Sequence, residues 1–261
     1  MRTERLVLLL ALAAVATAED SKPNPVVEFG SDTVSDLGGY VVAPLHWTGK
    51  EWAVATGVGV GIAAVALTAD QHVKETAQNN RSDNRDKAAK PLNLLGTGVS
   101  VAYLGAAWGV GAAVGDPRGR ELARDGLEAS IIASGVITPA LKLTAGRSRP
   151  SDVETDHWQL FSHNASFPSG HTTQAFTLAA VTARTFDDQP WVGALSFTVA
   201  SGVAWARIEG NHHYLSDTMA GAAIGTTVGW FVVGRNRERR ETEAGVKPVV
   251  AADRCGVEWV F

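Results

Sequence analysis

Three short segments of the 261-residue chain hold side chains suited to handling a phosphoryl group. The first carries Lys142 and, seven positions on, Arg149 followed by Pro150. The second is Phe167-Pro168-Ser169-Gly170-His171, and the third carries Arg207, His213 and Asp217. A phosphomonoester brings up to two negative charges and gains more at the leaving oxygen as its bond breaks. A pocket for it needs preorganised cations and hydrogen-bond donors. Lys142, Arg149 and Arg207 supply the cations, and an arginine can grip two oxygens in one fork. Ser169 and Gly170 add a hydroxyl and an unobstructed backbone N–H just before a helical pattern that opens near Thr172. A helix N-terminus is a natural anion site. His213 and Asp217 are four apart, one helical turn. The carboxylate can accept the imidazole Nδ1–H and leave Nε2 free to attack, which makes a nucleophile with its orienter. His171, beside the phosphate turn, is placed to protonate the leaving group. Each signal is weak alone; their ordered combination carries the reading.

The elements that must position these groups read as helices. Apolar helical stretches run over Trp52 to Ala69, Leu92 to Val114, Glu121 to Lys142, Thr172 to Phe186, Trp191 to Ala206 and Asp217 to Val233. The third delivers Lys142 to its far end, the fifth ends beside Arg207 and the sixth opens on Asp217. Residues 143–167 read as a loop, and Gln71 to Lys90 as a solvated loop or an exposed helical turn. No β-alternation competes until Val257, Trp259 and Phe261. The expected fold is all-α, a single bundle of about six core helices with a short C-terminal β-strand. Residues 51–235 form its helical domain, residues 19–50 an extended N-terminal arm and residues 236–261 a tail. Gly221, Gly225 and Gly229 recur every fourth residue, as do Gly105 and Gly109, a spacing that lets helix backbones approach closely.

In their order and spacing the three segments resemble the signature motifs of the type 2 phosphatidic acid phosphatase and haloperoxidase superfamily, which also includes bacterial class A acid phosphatases. Lys142, Arg149 and Pro150 match the first motif, Pro168 to His171 the second, and Arg207, His213 and Asp217 the third. Ala206 stands where the third motif has a serine, which removes one supporting hydrogen bond and no catalytic group. The resemblance covers about residues 120–230. It implies that His213 forms a phosphohistidine and that His171 is the general acid. It also implies a phosphate pocket of Lys142, Arg149, Ser169, Gly170 and Arg207. Hydrolysis is expected to need no metal or other cofactor, with vanadate able to mimic phosphate. No carboxylate or histidine cluster has convincing metal-ligand spacing.

Length and a hydrophobic content of 45% allow a sizeable core. The net charge of −4 gives no reason to expect a nucleic-acid partner. Cys255 is the single cysteine, so no intramolecular disulfide forms. A basic start, the apolar run Leu6 to Val15 and the small residues Ala16-Thr17-Ala18 read as a secretory signal peptide over residues 1–18. With a mean hydropathy close to zero and several short apolar stretches, the balance favours an exported, periplasmic bundle, soluble or resting on a membrane surface. The competing reading is an integral protein with six spans. The substrate is a phosphorylated small molecule or a lipid phosphate, since the motifs read only the phosphoryl group. The alternatives to a phosphatase are a vanadate-dependent haloperoxidase and a catalytically idle envelope protein of the same fold. His212 reads as a neighbour of the site. In the loop over residues 151–167, Asp152, Glu154, Asp156, His157, Trp158 and His163 read as solvated residues or a lid.

Overall fold

Each apolar stretch rich in Ala, Gly and Val becomes a helix, and glycine decides how closely those helices meet. The computed structural model describes residues 24–96, 98–153, 158–251 and 254–259. Contacts divide the chain into two units, residues 1–35 and 36–261, and the bundle and the site lie in the second. The helices are α1 (Pro25–Val42), α2 (Gly49–Thr68), α3 (Asp70–Asn79), α4 (Asp83–Leu95), α5 (Val99–Val114) and α6 (Pro117–Ser130). A π-helical stretch (Ile131–Ile137) carries α6 into α7 (Thr138–Ala145), followed by α8 (Gly170–Thr185), α9 (Pro190–Glu209) and α10 (Leu215–Glu243). The fold is all-α as expected, with an antiparallel hairpin of β1 (Val246–Ala251) and β2 (Arg254–Trp259) after the last helix. Phe261 and the expected signal peptide, residues 1–18, lie outside the described residues.

Helix α8 is the hub, with α10, α9 and α6 packed on it. The core beside it is built from Leu122, Ala129, Ile132, Ala133, Val181, Val228, Val232 and Val233. Along α10 the glycine stripe lies directly against α8. A Cβ on Gly221 would sit 2.7 Å from the Ser169 carbonyl oxygen, one on Gly229 would sit 2.9 Å from that of Thr177, and one on Gly225 would collide with that of Thr173. The stripe therefore sets the N-terminus of α8 against the first turns of α10. Gly105 and Gly109 meet no such neighbour.

Two segments differ from their expected form. Residues 25–42, expected as an extended arm, are helical as α1. Their anchorage is polar and escapes a search for apolar periods: Asp36 is fully buried, its Oδ2 accepting a 2.9 Å hydrogen bond from Arg239 Nη1. Leu37 and Tyr40 add partial packing on the core. The polar stretch Gln71 to Lys90 forms α3 and most of α4. Ser82 caps α4, with Asp83 and Asp86 in the first turn, where carboxylates are favoured. The buried Glu209 then ties α4 to α9 through a 2.7 Å contact with Arg85.

Among the described residues two helices are long and apolar enough to cross a membrane: Gly49–Thr68 and the continuous run Pro117–Ala145. A third forms if α4 and α5, bent by 60° at their junction, make one span. Helix α2 has no buried residue, and Val54, Val60 and Leu67 stand exposed along it.

Because the Gly225 approach is backbone to backbone, no rotamer can relieve a side chain there. Gly225→Ala should destabilise the bundle by about 1–3 kcal/mol, read as a lower thermal unfolding midpoint, while Gly105→Ala should leave the midpoint unchanged or higher.

Candidate active site

Four element ends converge on the site. Lys142 stands in the last turn of α7, Gly170 opens α8, Arg207 stands in the last turn of α9, and Asp217 lies in the first turn of α10. Helix α7 stops at Gly146, whose left-handed backbone (φ 57°) only glycine adopts freely, and whose missing side chain leaves room for the Gln159 carbonyl. The chain then turns through Arg147 and Arg149 toward the site.

The three expected cations are all present and none forms an ion pair among the described residues. Lys142 Nζ donates to the Ala165 carbonyl. Its Cε lies 3.9 Å from where a side chain on Gly170 would begin, so Lys142 flanks the helix N-terminus. Arg149 is half-buried. Arg207 is 8% exposed; Nη1 donates to Asn93 Oδ1 at 2.8 Å, while the buried Nε has no partner. Burial and the charge of Arg149 pull the Arg207 guanidinium down to about 10. Two like charges that feel each other, neither ion-paired among the described residues, are an arrangement that an anion would relieve.

Ser169 precedes α8 and is fully buried. Its N–H donates to the Asp217 carbonyl at 3.0 Å, and its Oγ accepts from Thr172 Oγ1 at 3.0 Å. His171 follows in the first turn, packed so tightly on Gly96 that a Cβ there would sit 2.7 Å from the histidine Cβ. Burial, then the charges of Arg207, His213, His212 and Lys142, push the His171 imidazole down to about 4. A bound phosphate dianion acts in the opposite direction and favours its protonated form.

His213 is 4% exposed, and Nδ1 lies 3.5 Å from Asp217 Oδ2. That separation is short enough for the carboxylate charge to be felt and too long for a well-made hydrogen bond. Burial takes the imidazole down to about 4 against the pull of Asp217, so at neutral pH it is uncharged. Asp217 is held much more firmly. Oδ1 accepts from Arg147 Nη1 at 2.6 Å; Oδ2 accepts from Ser166 Oγ at 2.6 Å and from the Tyr214 N–H at 2.9 Å. Burial alone would raise its pKa, but the His213 contact and the Arg147 charge outweigh it and keep the group below the usual carboxylate range.

Sequence reasoning did not single out Arg147, Ser166, Asp70 or Ser216. Arg147 is fully buried; Nη2 donates to Asp70 Oδ2 at 2.7 Å and Nη1 also donates to Ser216 Oγ at 2.7 Å. The guanidinium lies 4.0 Å over the Tyr214 ring and 4.6 Å over that of Trp158. Asp70, at the start of α3, also accepts the Ser216 N–H at 2.9 Å and the Ser216 hydroxyl. The one available signal was the second arginine in Gly146-Arg147-Ser148-Arg149-Pro150.

Of the loop residues expected to be solvated or to form a lid, Trp158 reaches the site network through Arg147, while Asp152 and His163 are exposed. Glu154, Asp156 and His157 lie outside the described residues. His212 is half-buried beside the cations, its pKa lowered by burial and then by Arg207, Arg149 and Arg81. Among the described residues no group of three or more His, Cys, Asp or Glu side chains could hold a metal ion.

The bundle thus brings two histidines, a clamped aspartate and three cations that form no ion pair among the described residues to one helix N-terminus. Residues 127–241, the segment that carries the site, match the family model of the PAP2 superfamily. The chain is 34% identical over 112 residues to the lipid A 1-phosphatase of Porphyromonas gingivalis, covering 42% of this chain and 23% of that protein. It is 30% identical over 142 residues to lipid phosphate phosphatase 2 of Arabidopsis thaliana, covering 41% of this chain and 48% of that protein. The chain thus spans less than half the length of either relative. Its fold is similar to that of the transmembrane PAP2 type phosphatidylglycerolphosphate phosphatase of Bacillus subtilis, with a TM-score of 0.55 at 20% identity, over 74% of this chain and 98% of that one. At that identity the likeness is one of fold.

Removing Arg147 would leave Asp70 and Asp217 buried without their shared cation. Arg147→Met should destabilise the protein by about 3–5 kcal/mol, and adding Asp70→Asn should recover part of the loss, both read from denaturant unfolding.

Proposed function

We propose that the chain is a phosphatase that hydrolyses phosphomonoesters or pyrophosphates of lipids through a phosphohistidine on His213. The observation that carries this reading is the convergence of Lys142, Arg149 and Arg207, none ion-paired among the described residues, on the N-terminus of α8 beside His213. The phosphoryl oxygens are held by the three cations, the Ser169 hydroxyl and the Gly170 N–H. His213 Nε2 attacks phosphorus and the ester oxygen leaves, taking a proton from His171. Asp217 keeps the Nδ1 proton in place and offsets the charge that the imidazole gains. Water, deprotonated by His171, then attacks the phosphohistidine and releases inorganic phosphate. The names of the relatives support a lipid substrate, since one acts on lipid A and the other on lipid phosphates.

The same reading places the protein in a membrane. A 20-residue apolar helix with no buried residue needs hydrocarbon around it, and α2 is such a helix. Pro117–Ala145 supplies a second span that ends three residues past Lys142, so the site sits at the end of a spanning helix. The transmembrane character of the Bacillus subtilis relative supports this reading. These features favour an integral protein over the exported bundle, with two or three candidate spans among the described residues where the sequence reading had six.

The test is phosphate release from para-nitrophenyl phosphate by the detergent-purified full chain in the presence of a chelator. Activity should persist with the chelator, fall to background in His213→Ala, and fall by about 100- to 10,000-fold in His171→Ala. Well-folded protein that releases no phosphate from this ester or from a lipid phosphate overturns the reading. The pH dependence has a definite sign. His213 attacks only when uncharged, so its protonation should make kcat/KM fall as pH drops through about 4.

A further inference from the structure

We infer that the groove between α5, α8 and α9 seats the hydrocarbon chain of the lipid phosphate whose head occupies the site. The inference rests on the phosphatase reading and adds where the rest of the substrate lies. The groove is a cavity of about 240 Å³. Its floor is buried, with Leu178 and Ala179 from α8 and Ala200 and Val203 from α9, and its rim is open, with Val99, Leu195 and Val199 exposed.

Its place relative to the phosphate site identifies the occupant. Helix α8 carries His171 in its first turn and Ala175, on the groove wall, one turn later. Helix α9 passes Val203 one turn before it delivers Arg207. Gly96 packs on His171, and its neighbours Leu95 and Val99 line the groove. The groove thus continues from the cationic pocket along the same two helices. Three cations with no ion pair among the described residues, followed by an apolar trough, complement an amphiphile with an anionic head. At the other end the Tyr103 hydroxyl is 2.8 Å from Thr182 Oγ1 and closes the trough. Ala175 and Thr182 are about 10 Å apart along α8 at the helical rise of 1.5 Å per residue. A chain entering beside His171 therefore runs along apolar walls to a polar stop. Helix α5, on the open rim, belongs to the bent pair long enough to cross a membrane, so the trough opens toward hydrocarbon.

The experiment compares butyl, octyl and dodecyl phosphate with para-nitrophenyl phosphate, using the full chain in one fixed detergent. KM should fall at least about tenfold from butyl to octyl phosphate, as methylenes leave water, and change little from octyl to dodecyl. Ala179→Phe and Val199→Phe, which narrow the trough, should raise the octyl phosphate KM about tenfold and leave hydrolysis of para-nitrophenyl phosphate unchanged. Tyr103→Ala, which opens the stop, should restore a gain from octyl to dodecyl. Retained activity on the aromatic ester shows that each variant is folded. An octyl phosphate KM indifferent to chain length and to the trough variants overturns the tail seat while leaving the phosphatase reading intact. If wild type hydrolyses none of these esters, both fall together.

Discussion

The buried ion cluster of Arg147 with Asp217 and Asp70 is the constraint on which the site depends. One guanidinium joins the loop after α7 to the starts of α3 and α10, all without solvent access. Such a cluster is tolerable in a low-dielectric interior only when its hydrogen bonds are met, and here Ser166, Ser216 and the Tyr214 N–H meet them. The cluster accounts for both nearby carboxylates. Asp217 is committed to Arg147 and lies beside His213, and among the described residues no carboxylate forms an ion pair with Lys142, Arg149 or Arg207. Among the described residues the cluster thus engages Asp217, the carboxylate nearest these cations.

Helix packing places the donors where that charge is useful. The glycine stripe of α10 brings its backbone against α8, and the Ser169 N–H then reaches the Asp217 carbonyl at 3.0 Å. One contact line thus sets the N-terminus of α8 beside Asp217, whose Oδ2 lies 3.5 Å from His213 Nδ1. The same two helices continue past the core, where Val181 packs with Val228 and Val232. Stability of the bundle and geometry of the site follow from one interface.

The parts legible in sequence were those with a local signature. Lys142, Arg149, the Pro168 to His171 turn, Arg207, His213 and Asp217 stand at fixed spacings, and the apolar helices have the helical period. Arg147 was not legible, because complete burial of an arginine depends on Asp70, which is 77 positions away in sequence. Helix α1 was missed for a related reason: Asp36 is held by Arg239, 203 positions on. The expectation of an exported bundle, soluble or resting on a membrane surface, drew on a mean hydropathy diluted by polar segments; the unburied length of α2, which bears on it, is visible only once the neighbouring helices are in place.

The most direct measurement is the site of phosphorylation during turnover. The protein, mixed with substrate for a few milliseconds and quenched in base, would be digested and its peptides read by mass spectrometry. A phosphoryl group on His213 is the expected result, absent when substrate is omitted. Substrate turning over with no phosphorylated residue, or with the group on a side chain other than His213, would contradict the account.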